Sequence, residues 1–238
     1  MSARRGLHPA TCRAIFARLK AANPAPVTEL HYTTPFELLV AVMLSAHTTD
    51  KSVNAATRAL FPVANTPAAI AALGAEGLKP YIRGVGLYNN KARNLAGLAR
   101  QILDRHGGEV PNDRDALEAL PGVGRKTANV VLNIAFGEAE IAVDTHIFRV
   151  ANRTGLAPGR TPREVEEGLR AAVPAPFRKD AHHWLILHGR YVCTARTPKC
   201  PGCMVRDLCR YAHKTPAKPA RKAAIGPRAP SKRRGRSG

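Results

Sequence analysis

Residues 120–128 read Leu-Pro-Gly-Val-Gly-Arg-Lys-Thr-Ala, and they commit the chain to two helices joined by a tight turn. Ahead of them, residues 112–120 open with Asn112, Asp113 and Asp115, which suit a helix N-terminus, and then set Ala116, Leu117 and Leu120 on one face. Pro121 stops that helix, because its ring lacks an amide hydrogen and clashes with the preceding turn. Behind the turn, Thr127 to Phe136 is apolar almost all round and ends at Gly137, which predicts a buried helix. Gly122 and Gly124 permit positive φ and the close approach of a foreign backbone. The turn therefore offers bare amides at a helix N-terminus, where the macrodipole favours an anion such as phosphate. Lys126 stands in the first turn of this helix, where the dipole opposes a positive charge. Two roles suit it there, a phosphate contact or an amine nucleophile.

The 238 residues suffice for one sizeable domain or two small ones. Aromatic residues make up 5% and β-branched runs are few, while Ala, Leu and Arg abound, so an all-α protein is expected. Lys and Arg number 37 against 17 acids, a formal charge of +20 that calls for a polyanionic partner. Nine of those basic residues lie between Lys214 and Gly238 with no acid among them, which leaves +11 on residues 1–213. The longest apolar stretch, Phe36 to Ala46, contains Glu37 and is too short to span a bilayer. Residues 1–22 carry Arg4, Arg5, Arg13, Arg18 and Lys20 but no continuous apolar region of a secretory signal, so a cytoplasmic protein that binds nucleic acid rather than membrane is expected.

Residues 8–22 read as an amphipathic helix with Ile15, Phe16 and Leu19 on one side, ended by Asn23-Pro24-Ala25-Pro26. Thr34, Pro35 and Glu37 then form a capping-box pattern ahead of the core-like run Phe36 to Leu44. The polar cluster 45–50 follows, and its plainest reading is a cap with Asp50 starting the helix Lys51 to Leu60. Further helices are predicted over 67–73, 77–82 and 90–106, with Leu87 set in the glycine-containing turn between the last two. Asp144 holds an N-cap position before Thr145-His146-Ile147-Phe148, and another helix is expected over 163–173. His182, His183 and His188 lie beside Trp184, Leu185, Ile186 and Leu187, a pattern of packed or capping histidines rather than metal ligands.

Four of the five cysteines form Cys193-x6-Cys200-x2-Cys203-x5-Cys209, which suits metal ligation in a reducing compartment; Cys12 stands apart as a small core or surface residue. A zinc ribbon uses two Cys-x2-Cys knuckles, and only one is present. Beyond Tyr211 the chain turns to Lys, Arg, Pro and Ala, the composition of a disordered tail that adds salt-sensitive DNA affinity.

Residues 120–128, the run Val143-Asp144-Thr145-His146 and the four-cysteine spacing, in that order, resemble the endonuclease III family of the helix–hairpin–helix DNA glycosylase superfamily, over about residues 10–212. The resemblance implies two helical domains flanking a DNA-binding cleft: 28–138 with the hairpin, and 1–27 joined to 139–212, followed by the basic tail 213–238. It implies a [4Fe–4S] cluster on Cys193, Cys200, Cys203 and Cys209, a ligation that four thiolates suit. Lys126 and Asp144 become the catalytic pair on opposite cleft walls, with Ser45 and Asp50 supporting them.

The same resemblance gives the DNA contacts to the hairpin residues Gly122, Gly124 and Arg125 and to Arg196 and Lys199 in the cysteine loop. His47, where the family typically has Gln, would fill the hole left by an extruded nucleotide together with Leu87 as an apolar wedge. The implied activity is a base excision repair glycosylase with AP lyase activity. It acts as a cytoplasmic, nucleoid-associated monomer on duplex DNA carrying oxidised pyrimidines such as thymine glycol, or abasic sites. Two rivals are an adenine or mismatch glycosylase without lyase activity, which would normally lack Lys126, and a non-catalytic DNA-binding or redox-sensing module.

Overall fold

The computed structural model describes residues 6–217, and among these the regular structure is entirely helical. Residues 1–5 and most of the basic tail, 218–238, lie outside the described residues. Three helices begin with the same device, a threonine cap followed by proline at the first helical position. They are α2 (Pro35–Ser45), α4 (Pro67–Ile82) and α9 (Pro162–Ala172). In each, the threonine Oγ1 accepts from an amide three residues on, at 3.1 Å for Thr34, 3.2 Å for Thr66 and 3.2 Å for Thr161. Glu37 reaches back past the cap and accepts from Thr33 N at 2.6 Å, a variant of the expected capping box, whose usual donor is the cap's own amide.

The chain builds two apolar cores. The larger runs from Leu30 to Ala142 and contains nearly every side chain of α2, with α3 (Asp50–Leu60), α4, α5 (Tyr88–His106), α6 (Arg114–Glu118) and α7 (Arg125–Phe136) packed around it. Within α4 the helix breaks at Gly74, whose φ of 62° and ψ of 179° explain the two shorter segments expected from the sequence. The second core joins α1 (Pro9–Ala22) to α8 (Thr145–Thr154), α9 and α10 (Arg178–Tyr191). Here α8 and α10 cross so closely that a Cβ on Gly189 would lie 2.8 Å from His146 Cβ, which only glycine avoids.

Three local expectations change. Thr49, not Asp50, caps α3, because its Oγ1 takes the Ser52 amide at 3.3 Å and frees the Asp50 carboxylate for Arg190. The helix after the hairpin begins at Arg125, two residues early, with Gly124 as its cap at an ordinary φ of −103°. Of the two hairpin glycines only Gly122 has positive φ, 77°, and a Cβ there would strike Asn94 at 2.9 Å. The start of the tail is also engaged: Lys214 Nζ donates to Cys209 O at 2.6 Å, and Thr215 Oγ1 accepts from Cys200 N at 3.2 Å. No helix among the described residues is long and apolar enough to cross a membrane.

Candidate active site and cysteine centre

A cleft of about 780 Å³ lies between the two cores, a size typical of sites that take a small molecule or a nucleotide. Two helix N-termini feed it from opposite sides. Lys126 enters as the second residue of α7, exposed, on a helix whose first amides no side chain caps. Asp144 enters as the cap of α8, its Oδ1 accepting from His146 N at 2.9 Å and Ile147 N at 2.8 Å, which leaves Oδ2 for the cleft. The amide bonds fix the carboxylate in one orientation.

Ser45, His47 and Asp50 line the same cleft. Ser45 Oγ donates to Val42 O at 2.7 Å, and the Asp50 carboxylate is bonded to Arg190, which also bonds Glu29. Arg190 thereby ties α10 to α3 and to the segment before α2. The sequence reading passed over this arginine because both its partners lie 140 or more residues away.

Four further residues stand as follows. Leu87 is 64% exposed at the rim, beside the His47 turn. Arg196 and Lys199 are exposed on the cysteine loop, away from the cleft lining. Arg125, expected to meet DNA, is paired within the protein, with Nη2 at 2.7 Å from Glu166 Oε1 and Nε at 3.2 Å from Oε2. This two-pronged pair buckles the hairpin to α9 and makes Arg125 a strap between the two cores, with its side chain still part-exposed at the hairpin.

The histidines of α10 are buried, as packed histidines should be, yet His182 and His183 also line the cleft. Burial pushes His182 down to about 3, helped by the neighbouring His183 and by Lys126, so it is neutral across the working range. Its Nδ1 is buried without a hydrogen-bond partner. The sequence reading also missed Lys91, a buried lysine whose Nζ donates to Leu44 O at 2.8 Å and to Ala46 O at 2.5 Å.

Cys193, Cys200, Cys203 and Cys209 share one small pocket with Arg153, His188, Tyr211 and Lys214. Burial, with the other thiols nearby, pushes the Cys203 and Cys209 thiols up. Donors already point at the sulfurs: Tyr211 N lies 3.4 Å from Cys209 Sγ and Arg153 Nη1 lies 3.6 Å from Cys193 Sγ. Four convergent thiols ringed by an amide and cationic donors fit an anionic, thiolate-ligated group. Among the described residues no three His, Cys, Asp or Glu side chains form a group that could hold a single metal ion.

Residues 40–175 match the family model of the HhH-GPD superfamily base excision DNA repair proteins. The chain is 62% identical over 200 residues to endonuclease III of Escherichia coli strain K12, covering 84% of this chain and 95% of that protein. Its fold is similar to that of a trapped endonuclease III–DNA covalent intermediate in an estranged-adenine complex, at 45% identity and a TM-score of 0.81, over 86% of this chain and 96% of the other. A thermostable thymine-DNA glycosylase matches at 26% identity and a TM-score of 0.77, over 85% of this chain and 96% of that one.

Proposed function

The chain belongs to the endonuclease III family of base excision repair proteins and is a DNA glycosylase with AP lyase activity; from that premise we propose that Lys126 is its nucleophile and Asp144 the carboxylate that serves it. The observation that carries the reading is their position on two helix N-termini facing one cleft. A base stacked in a duplex hides its glycosidic carbon, so the nucleotide must first be extruded, at a cost of a few kcal/mol that damage lowers. Oxidised pyrimidines such as thymine glycol, which lose planarity and stacking, suit such a site. The Lys126 amine attacks C1′ as the bond from C1′ to the base breaks, and Asp144 takes part in removing the lysine proton and steadies the cationic sugar. The sugar ring opens to a Schiff base on Nζ. That imine acidifies C2′, a proton leaves there, and the C3′–O bond breaks with the phosphate as leaving group. The strand is cut on the 3′ side.

Around this chemistry, His47 and Leu87 occupy the hole in the duplex, and Ser45 and Asp50 support the cleft wall through Val42 and Arg190. Gly122 and Gly124 bring the uncapped amides of α7 to a phosphate. Cys193, Cys200, Cys203 and Cys209 would hold a [4Fe–4S] cluster, which when bound supplies iron–thiolate bonds that pin the loop. Arg196 and Lys199 on that loop then face phosphates. We assign the enzyme to chromosomal DNA in the cytoplasm.

The test uses duplexes carrying thymine glycol or an abasic site. Wild type releases the lesion and nicks both; Lys126→Ala does neither while still binding the duplex. Nicking by Lys126→Ala at the wild-type rate would overturn the assignment. Chemical analysis should find about four irons per chain, lost in Cys203→Ala.

A further inference from the structure

Among the described residues only two that are not glycine have positive φ, His47 at 56° and Leu87 at 59°. Each side chain is exposed, and each backbone sits in the left-handed region that a residue with a Cβ adopts only at a cost. The two come from turns 40 residues apart in the chain, yet the turns touch. A Cβ on Gly86 would lie 3.0 Å from His47 O, so the residue before Leu87 must be small for the contact to close. Thr48 Oγ1 stitches the two turns, accepting from Gly86 N at 3.1 Å and from Lys91 Nζ at 3.2 Å. Lys91, on the first turn of α5 just after Leu87, drives its ammonium under the His47 turn and caps the last carbonyls of α2 through Leu44 O and Ala46 O. A buried lysine with three oxygen acceptors and, among the described residues, no carboxylate partner is costly, and it is placed where it fixes the two strained residues against each other.

We propose that Thr48 and Lys91 are positioning residues that lock His47 and Leu87 into one preformed wedge, so that both enter the duplex together when the nucleotide leaves it. The proposal rests on the reading of His47 and Leu87 as the residues that fill the hole. It makes a demand that a merely structural role does not. Loss of the Thr48 acceptor should impair substrates that need the wedge and spare those that do not. A single-stranded abasic site has no stack to open and no partner base to hold.

The experiment uses the full chain with its cluster and reads borohydride trapping on an abasic site in duplex and in single-stranded DNA. In parallel, 2-aminopurine opposite the site reports unstacking of the estranged base. Thr48→Val keeps the shape and removes the acceptor; it should lower the ratio of duplex to single-strand trapping about tenfold and quench the 2-aminopurine response in step, the upper end of what one lost hydrogen bond gives. Thr48→Ser should restore both. Gly86→Ala presses a Cβ against His47 O and leaves Thr48 and Lys91 unsubstituted, so it should lower the same ratio by separating the turns, and it supplies the answer where Thr48→Val does not fold. An unchanged ratio in Gly86→Ala or Thr48→Val, or equal losses in Thr48→Val and Thr48→Ser, would overturn the proposal. Absence of trapping by wild type on both substrates would instead remove the lysine mechanism, and the wedge proposal with it.

Discussion

The two walls of the cleft are held up differently. Lys126 stands on α7, whose inner face of Ala128, Val130, Val131 and Leu132 belongs to a large aliphatic core built around α2. Asp144 stands on α8, in a smaller core that leans on an aromatic group, with Phe16, Phe177 and Trp184 at centroid distances of 6.0 to 6.4 Å. Trp184 Nε1 further donates to Asn23 O at 2.8 Å, closing the end of α1 onto α10. Among the described residues every buried histidine and the cysteine centre also belong to this second half. The first wall is thus set mainly by apolar packing, with Glu37 and Lys91 as its buried ionisable groups. The second holds the buried histidines and the four cysteines, so pH and thiol chemistry are expected to act on the carboxylate's wall before the amine's.

The sharpest probe of that comparison is chemical. Asp144→Asn should slow strand cleavage at an abasic site by about 10² to 10⁴, the range for a positioned acid or base, while Lys126 still forms a trappable adduct. Single-turnover cleavage measures it, and an Asn variant that cleaves normally would leave the second wall without a chemical part. Next in size come the cores. Phe16→Ala should cost about 3–5 kcal/mol and Leu39→Ala about 2–5 kcal/mol, since both side chains are fully buried. Hydrogen exchange should rise mainly in the half that carries the change; exchange that rises equally in both would merge the two cores into one cooperative unit.

A smaller effect is expected where the halves are strapped together. Glu166→Gln removes the charge that Arg125 grips and should cost about 1.5–3 kcal/mol in urea unfolding. The smallest, taken per unit of pH, lies on the acid limb. His182 is held neutral, with its value about 3 against 6.5 in an open chain, so its stabilising contribution is complete above 6.5 and is lost as pH falls from there toward 3. The slope from this single proton is at most about 1.4 kcal/mol per pH unit. His182→Gln should show a shallower acid limb by that amount, read as urea midpoints between pH 6.5 and 4.

Much of this was legible from local sequence. The Pro-Gly turn, the apolar α7, the core run of α2 and the capping Asp144 are all signalled by residues within a few positions of one another. What escaped depends on partners distant in the chain. Arg125 looks like a free hairpin cation until Glu166 is seen beside it, and Lys91 looks like a surface lysine until α2 ends above it. His182 and His183 read as packing, which they are, but only the crossing of α8 and α10 turns them toward the cleft. Gly124 shows a partial match. Of the two properties expected there, positive φ and room for a close approach, its backbone at φ −103° does not use the first, and the space around it provides the second.

The claim on which the rest depends is that the amine of the first wall, and no other, bonds to the sugar. Borohydride reduction on an abasic duplex, followed by proteolysis and mass analysis of the peptides, tests it directly. The reduced sugar adduct should map to Lys126 and vanish in Lys126→Ala. An adduct on another lysine, or one that persists in the variant at wild-type yield, would contradict it.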